Sequence, residues 1–114
     1  MNAKELADVF DALGSELRLR IIELVAGHKE MCICELVDAL DMSQANVSRH
    51  VRVLRSAGIL QSRKMGVLVI HRVDPERIAH ASSALGERIA ELHHRSAGED
   101  VEARLASRCQ VEAS

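Results

Sequence analysis

Cys32-Ile33-Cys34 places two thiols two residues apart, and Cys109 is the third cysteine of the chain. Thiolates bind soft metals and metalloids, and they can be oxidised. In a reducing compartment three cysteines serve as free thiols, not as a disulfide framework. The second chemically distinctive stretch is basic. Between Met42 and Val73 lie Arg49, Arg52, Arg55, Arg63, Lys64 and Arg72, with no Asp or Glu. The remainder holds nine basic residues and all seventeen acidic ones, so a net charge of -2 hides a local positive surface. Such a block in an otherwise acidic chain suits a polyanion.

These groups need elements to hold them. Leu6, Val9, Phe10 and Leu13 recur at helical spacing and predict a first helix ending at Gly14. Ser15 caps a second helix with Leu17, Ile21, Leu24 and Val25 on its apolar side, broken at Gly27-His28. A third helix turns Ile33, Leu36, Val37 and Leu40 inward. After Asp41-Met42, Ser43 caps a fourth helix that runs to about Ala57 and stops at Gly58. The period then changes. Ile59 to Arg63 and Val67 to Val73 are short, β-branched runs around Lys64-Met65-Gly66, which predicts a hairpin. Asp74-Pro75 opens a last helix in which Ile78, Leu85 and Leu92 sit seven apart, a seam suited to pairing between subunits. From Ser96 polarity rises and periodicity fades, so residues 96–114 are expected to be a mobile tail behind a 1–95 domain.

The fold class expected is therefore mainly α with a β-hairpin, a winged helix-turn-helix of order ααααββα that forms a homodimer. At 114 residues, with Phe10 the only aromatic, one domain with a thin core fits that reading. In such a unit the helix after the tight turn enters the major groove. On the fourth helix Val47, Val51 and Leu54 share the inward face, and Ala45, Ser48, Arg49 and Arg52 the opposite one. Arginine bonds a guanine edge in bidentate fashion, and Ser and Gln bond bases or phosphate. Ser43, Gln44 and Asn46 lie at the first turn, within reach of DNA. His50, at the margin, serves either the core or a phosphate. Arg63 and Lys64, by the hairpin tip, would reach phosphates or the minor groove. The first ten residues show no signal-peptide pattern and no run approaches membrane-spanning length. The expectation is a cytoplasmic protein whose partner is double-stranded DNA, with no membrane.

Several segments together resemble the ArsR/SmtB family of metal-responsive bacterial repressors. They are Asp11 to Leu24 (DALGSELRLRIIEL), Glu30 to Leu36 (EMCICEL, similar to the ELCVCDL of the arsenic branch), Ser43 to His50 (SQANVSRH) and Arg63 to Gly66. The resemblance covers about residues 6–95. It implies a homodimer on an operator near its own operon, with As(III) or Sb(III) as the inducer that releases it and no catalytic cofactor. Trivalent arsenic takes three thiolates. The arsenic branch often has a further Cys where this chain has Val37, so Cys109, from either subunit, or an external thiol would complete a site built on Cys32 and Cys34. The family's zinc site on the last helix would fall near Pro75, Arg77, Arg88 and Glu91. Two arginines repel a cation, and His80, His93 and His94 read as surface residues.

On a straight helix Cys32 and Cys34 would lie about 200° apart, so one ion binding both would distort the third helix and, through it, the fourth. The same thiols would also suit a cadmium or lead sensor, or a sensor of redox or reactive sulfur species. A thiol redox enzyme would need a cleft and usually a thioredoxin-like βαβ pattern, which is absent. A degenerate protein-interaction module is the remaining class, and the acid-free basic block argues against it.

Overall fold

The computed structural model describes the backbone of residues 1–95 and 100–113 and the side chains of residues 1–95 and 100–108. Local chemistry explains most helix starts. Asn2 accepts from the Glu5 amide at 2.8 Å and opens α1 (Ala3–Leu13). Ser15 accepts from Arg18 N–H at 3.3 Å and opens α2 (Glu16–His28). Ser43 accepts from Asn46 N–H at 3.2 Å and opens α4 (Gln44–Ser56). Each satisfies an amide that the first helical turn leaves without a partner. Between them, α3 (Ile33–Leu40) ends at Asp41, whose left-handed backbone (φ 52°) turns the chain into α4.

The hairpin is β2 (Leu60–Met65) with β3 (Leu68–Val73), paired antiparallel from Leu60↔Val73 to Met65↔Leu68. Its loop is Gly66-Val67, so Arg63 lies inside β2 as expected, and Lys64 and Met65 also lie inside β2 and not between the strands as the residue pattern suggested. Gly66 supplies the positive φ of 64° that a two-residue hairpin loop requires. A third strand was not expected. β1 (Met31–Cys32) pairs with β3, Met31 opposite His71 and Cys32 opposite Ile70, giving the order β1-β3-β2. Two residues are too few for an alternation to register in sequence.

By its contacts the chain divides into two units, 1–84 and 85–114. The first holds the core, where Val9, Ile21, Val25, Leu36, Val47, Leu54 and Ile59 are fully buried. Phe10 is 36% exposed, a departure from the expected stripe; α1 buries Leu6, Val9 and Ala12 instead. The last long helix, α5 (Pro75–Arg95), begins where Asp74 accepts from Glu76 N–H at 3.1 Å, and its first half lays Ile78, Ala81 and Ala84 on this core. The second unit contains the end of α5, where Leu85, Ile89 and Leu92 are exposed, and a further helix, α6 (Val101–Ala113). Asp100 accepts from Ala103 N–H at 3.2 Å at its start. The sequence had suggested no element there. No described helix is long and apolar enough to cross a membrane.

Candidate nucleic-acid interface and thiol pair

The inner face of α4 is anchored by Val47, Val51 and Leu54, which are 0–2% exposed. That anchoring turns the rest of the helix outward. Ser43, Gln44, Ala45, Arg49 and Arg52 are exposed, with Asn46 and Ser48 half-buried beside them. Arg49 donates to Asn46 Oδ1 at 3.0 Å, which pre-orders the guanidinium at the N-terminal half of the helix. Arg52 and Arg55 line an open groove with Ser56, Gln61 and Ser62, and neither has an ion-pair partner among the described residues. The groove joins α4 to the wing strand β2, and a phosphate-sized anion is the partner its charge suits.

Three expected contacts have more specific surroundings. His50 turns back towards α2, where Arg18 Nη1 lies 3.3 Å from its Nδ1. A guanidinium only donates, so Nδ1 accepts and the ring is the neutral Nε2–H form. Burial first, then the Arg18 and Arg49 charges, holds the His50 pKa below its ordinary value. Arg63 donates to Glu30 Oε2 at 2.6 Å. Lys64 is exposed on β2, opposite Val69.

The thiol pair straddles an element boundary. Cys32 is extended (φ -91°, ψ 167°), ends β1 and is the N-cap of α3, so it is not part of a straight helix with Cys34. Cys32 is 7% exposed, whereas Cys34 is exposed on the first turn. Glu35 accepts from Cys32 N–H at 3.1 Å. Hydrogen bonds from the Cys32 backbone, then from its thiol, lower the Glu35 pKa. This is a capping box with cysteine in the place of serine, and the x-x-Glu spacing was its legible signal. No described cluster of three His, Cys, Asp or Glu residues is arranged to hold a metal ion. Two soft thiolates at the start of a helix nevertheless fit a thiophilic ligand by donor type. The Cys109 side chain lies outside the described residues. His80, His93 and His94 are exposed.

A further site residue escaped the sequence reading. His71 in β3 is 1% exposed, and both its ring nitrogens lack a hydrogen-bond partner among the described residues. It borders a cavity of about 210 Å³ with Ile33 of α3 and Ser48, Arg52 and Arg55 of α4. Burial, then the Arg55 charge, lowers its pKa below the ordinary value.

A family model described as "Bacterial regulatory protein, arsR family" matches residues 15–62, from the cap of α2 into β2. The arsenical resistance operon repressor of Escherichia coli is 40% identical over 79 residues, 69% of this chain and 68% of that protein. The chain belongs to the ArsR family. The match to this ArsR-family chain of the arsenic resistance transcriptional regulator ArsR1 of Pseudomonas putida is 46% identical over 68 residues, 60% of the chain. It spans about half, 53%, of that regulator's length. Among solved structures, a Mycobacterium bovis domain described as a homodimeric winged helix-turn-helix DNA-binding domain superposes with a TM-score of 0.62. It is 25% identical and covers 79% of this chain and 82% of its own. The winged helix expected from the element order is thus the fold of this ArsR-family chain, and these relatives are regulators, not enzymes.

Proposed function

We propose that this chain is a cytoplasmic transcriptional repressor that binds operator DNA as a homodimer and is released when As(III) or Sb(III) engages Cys32 and Cys34. The observation that carries the reading is the placement of Cys32 and Cys34 at the start of α3, the helix packed directly on α4. Support for DNA comes from the outward face of α4, with Arg49, Arg52 and no acid from Met42 to Val73. Support for pairing of two copies comes from the exposed Leu85 and Ile89 on α5. The arsenic-resistance relatives support the choice of inducer.

Arsenite supplies a trivalent centre at which each thiol proton leaves with a hydroxide as water, an As–S bond taking their place. The chain must do the rest. Thiolates of one centre lie about 4 Å apart, so a buried Cys32 and an exposed Cys34 must converge. Cys32 then leaves its capping position, α3 loses the Glu35–Cys32 tie, and the helix supporting α4 shifts. Cys109 is proposed as the third thiolate.

Fluorescence anisotropy on DNA from upstream of the gene tests this, with arsenite, antimonite, Cd(II), Zn(II) and a thiol oxidant titrated onto wild type and Cys32→Ser/Cys34→Ser. Release of wild type alone by arsenite supports the reading, and Cys109→Ser then decides the third ligand. Release by Cd(II) alone or by oxidant alone replaces the inducer. Failure to bind DNA sinks the repressor reading.

A further inference from the structure

The sheet register sets Cys32, Ile70 and Arg63 opposite one another in a single row, from β1 through β3 to β2. Neighbouring strands are about 4.8 Å apart, so the sensing cysteine and the wing arginine lie roughly 10 Å apart across one strand. A second tie closes the same distance. Arg63 reaches back over this row to Glu30, at 2.6 Å, and Glu30 is two residues before Cys32. The wing is therefore held to the thiol segment twice, by the β1–β3 pairing and by the Glu30–Arg63 bridge.

We infer that Glu30 and β1 act as a lever that reports ligand binding at Cys32 to the wing through Arg63. The inference deepens the repressor reading and rests on it. The reason is geometric. Cys32 is buried, and it is at once the end of β1 and the cap of α3. Drawing its buried thiol out to the exposed Cys34 would pull on a backbone that is paired opposite Ile70. β1 is two residues long, so displacing Cys32 displaces half the strand and carries Glu30 with it. Arg63 then loses its partner, and β3 loses the neighbour on its free side. The exposed bridge adds little to stability. Its role is to set where Arg63 points. This route runs through the wing, in parallel with the α3–α4 packing, and a ligand-biased pairing of this kind is a two-state element as coupling requires.

Hydrogen–deuterium exchange of the full chain, with and without arsenite, reads the lever directly, and anisotropy reads its consequence. In wild type, arsenite is expected to raise exchange several-fold in the β3 amides of residues 69–72. Glu30→Gln is expected to bind arsenite still, as followed by thiolate–arsenic absorbance, while the factor by which arsenite weakens DNA binding falls several-fold. Arg63→Gln is expected to lower that factor similarly, and the double variant no further than either single one. Wild-type release with unchanged β3 exchange, or a full release factor in Glu30→Gln, overturns the lever and leaves the repressor reading standing. Arsenite that binds and leaves wild type on DNA overturns both.

Discussion

Arg18 donates to His50 at 3.3 Å, linking α2 to α4 across 32 residues of sequence. The same guanidinium donates through Nε to Ala12 O at 2.7 Å and through Nη2 to Asp11 O at 3.0 Å. One side chain thus satisfies carbonyls at the end of α1 and fixes the ring on the helix expected to read DNA. Charge-assisted bonds of this kind are among the stronger ones. Arg18→Met keeps the aliphatic stem and removes all three donors. It is expected to cost about 2 kcal/mol in urea unfolding. A loss below about 0.5 kcal/mol would mean that water replaces these bonds without penalty.

Gly58 ends α4 with φ +78°, and a Cβ there would sit 2.9 Å from Arg77 Nε. Arg77 cannot readily yield, because that Nε donates to Ala57 O at 3.0 Å. Gly58→Ala therefore combines backbone strain with a broken cap. A destabilisation of about 1–2 kcal/mol by urea unfolding is expected. Gly66, also at positive φ, has open space around its Cβ position, so Gly66→Ala should cost only the backbone strain.

Acid should weaken the fold through His71 and His50. Both have folded pKa values below the ordinary 6.5. The unfolded chain then binds protons first as pH falls, so stability is full above about 6.5 and is lost between there and the lowered folded values. The charged groups facing His71 include Arg55, which disfavours a second cation beside it. His71→Val removes the titration and suits a buried strand position. The melting temperature of wild type is expected to fall from pH 7.5 to 5.5, and that of His71→Val to fall less. An identical pH slope for the two would show that His71 does not titrate in this window.

The two guanidiniums of the α4–β2 groove should behave as phosphate contacts, distinct from Arg49. Arg52→Ala and Arg55→Ala are expected to weaken binding to specific and non-specific duplexes alike. Each should lower the slope of log affinity against log salt by about one. Arg49→Ala should instead cost about 1–3 kcal/mol chiefly on the specific duplex. Anisotropy at several salt concentrations separates the two patterns. A specificity loss in Arg55→Ala would place that residue on a base edge.

Much of the architecture was legible before any coordinates. Helix caps at Ser15 and Ser43, the stop at Gly58 and the opening Asp74-Pro75 are local signals, because a capping side chain and its amide lie within three residues of each other. The inward stripe of Val47, Val51 and Leu54 follows from the helical period alone. That stripe also dictates that Ala45, Arg49 and Arg52 turn outward. The thiol spacing and the acid-free block were readable as composition.

What tertiary structure decided is everything that joins distant residues. β1 is too short to leave a pattern, so only its pairing with β3 shows that Cys32 is a strand end and not part of a helix. The Glu30–Arg63 bridge, with its partners 33 residues apart, and the Arg18–His50 bond are invisible to any window of local periodicity. His71 is buried next to Ile70, which is also buried and so breaks the strand alternation, and burial of its imidazole depends on what packs above it. Phe10 fits the helical stripe by number, yet it is 36% exposed while Ala12 is buried, a choice that packing against the neighbouring elements makes. Local propensity acts within a few residues and sets the elements. Packing acts across the chain and sets which of their faces, and which of their charges, meet.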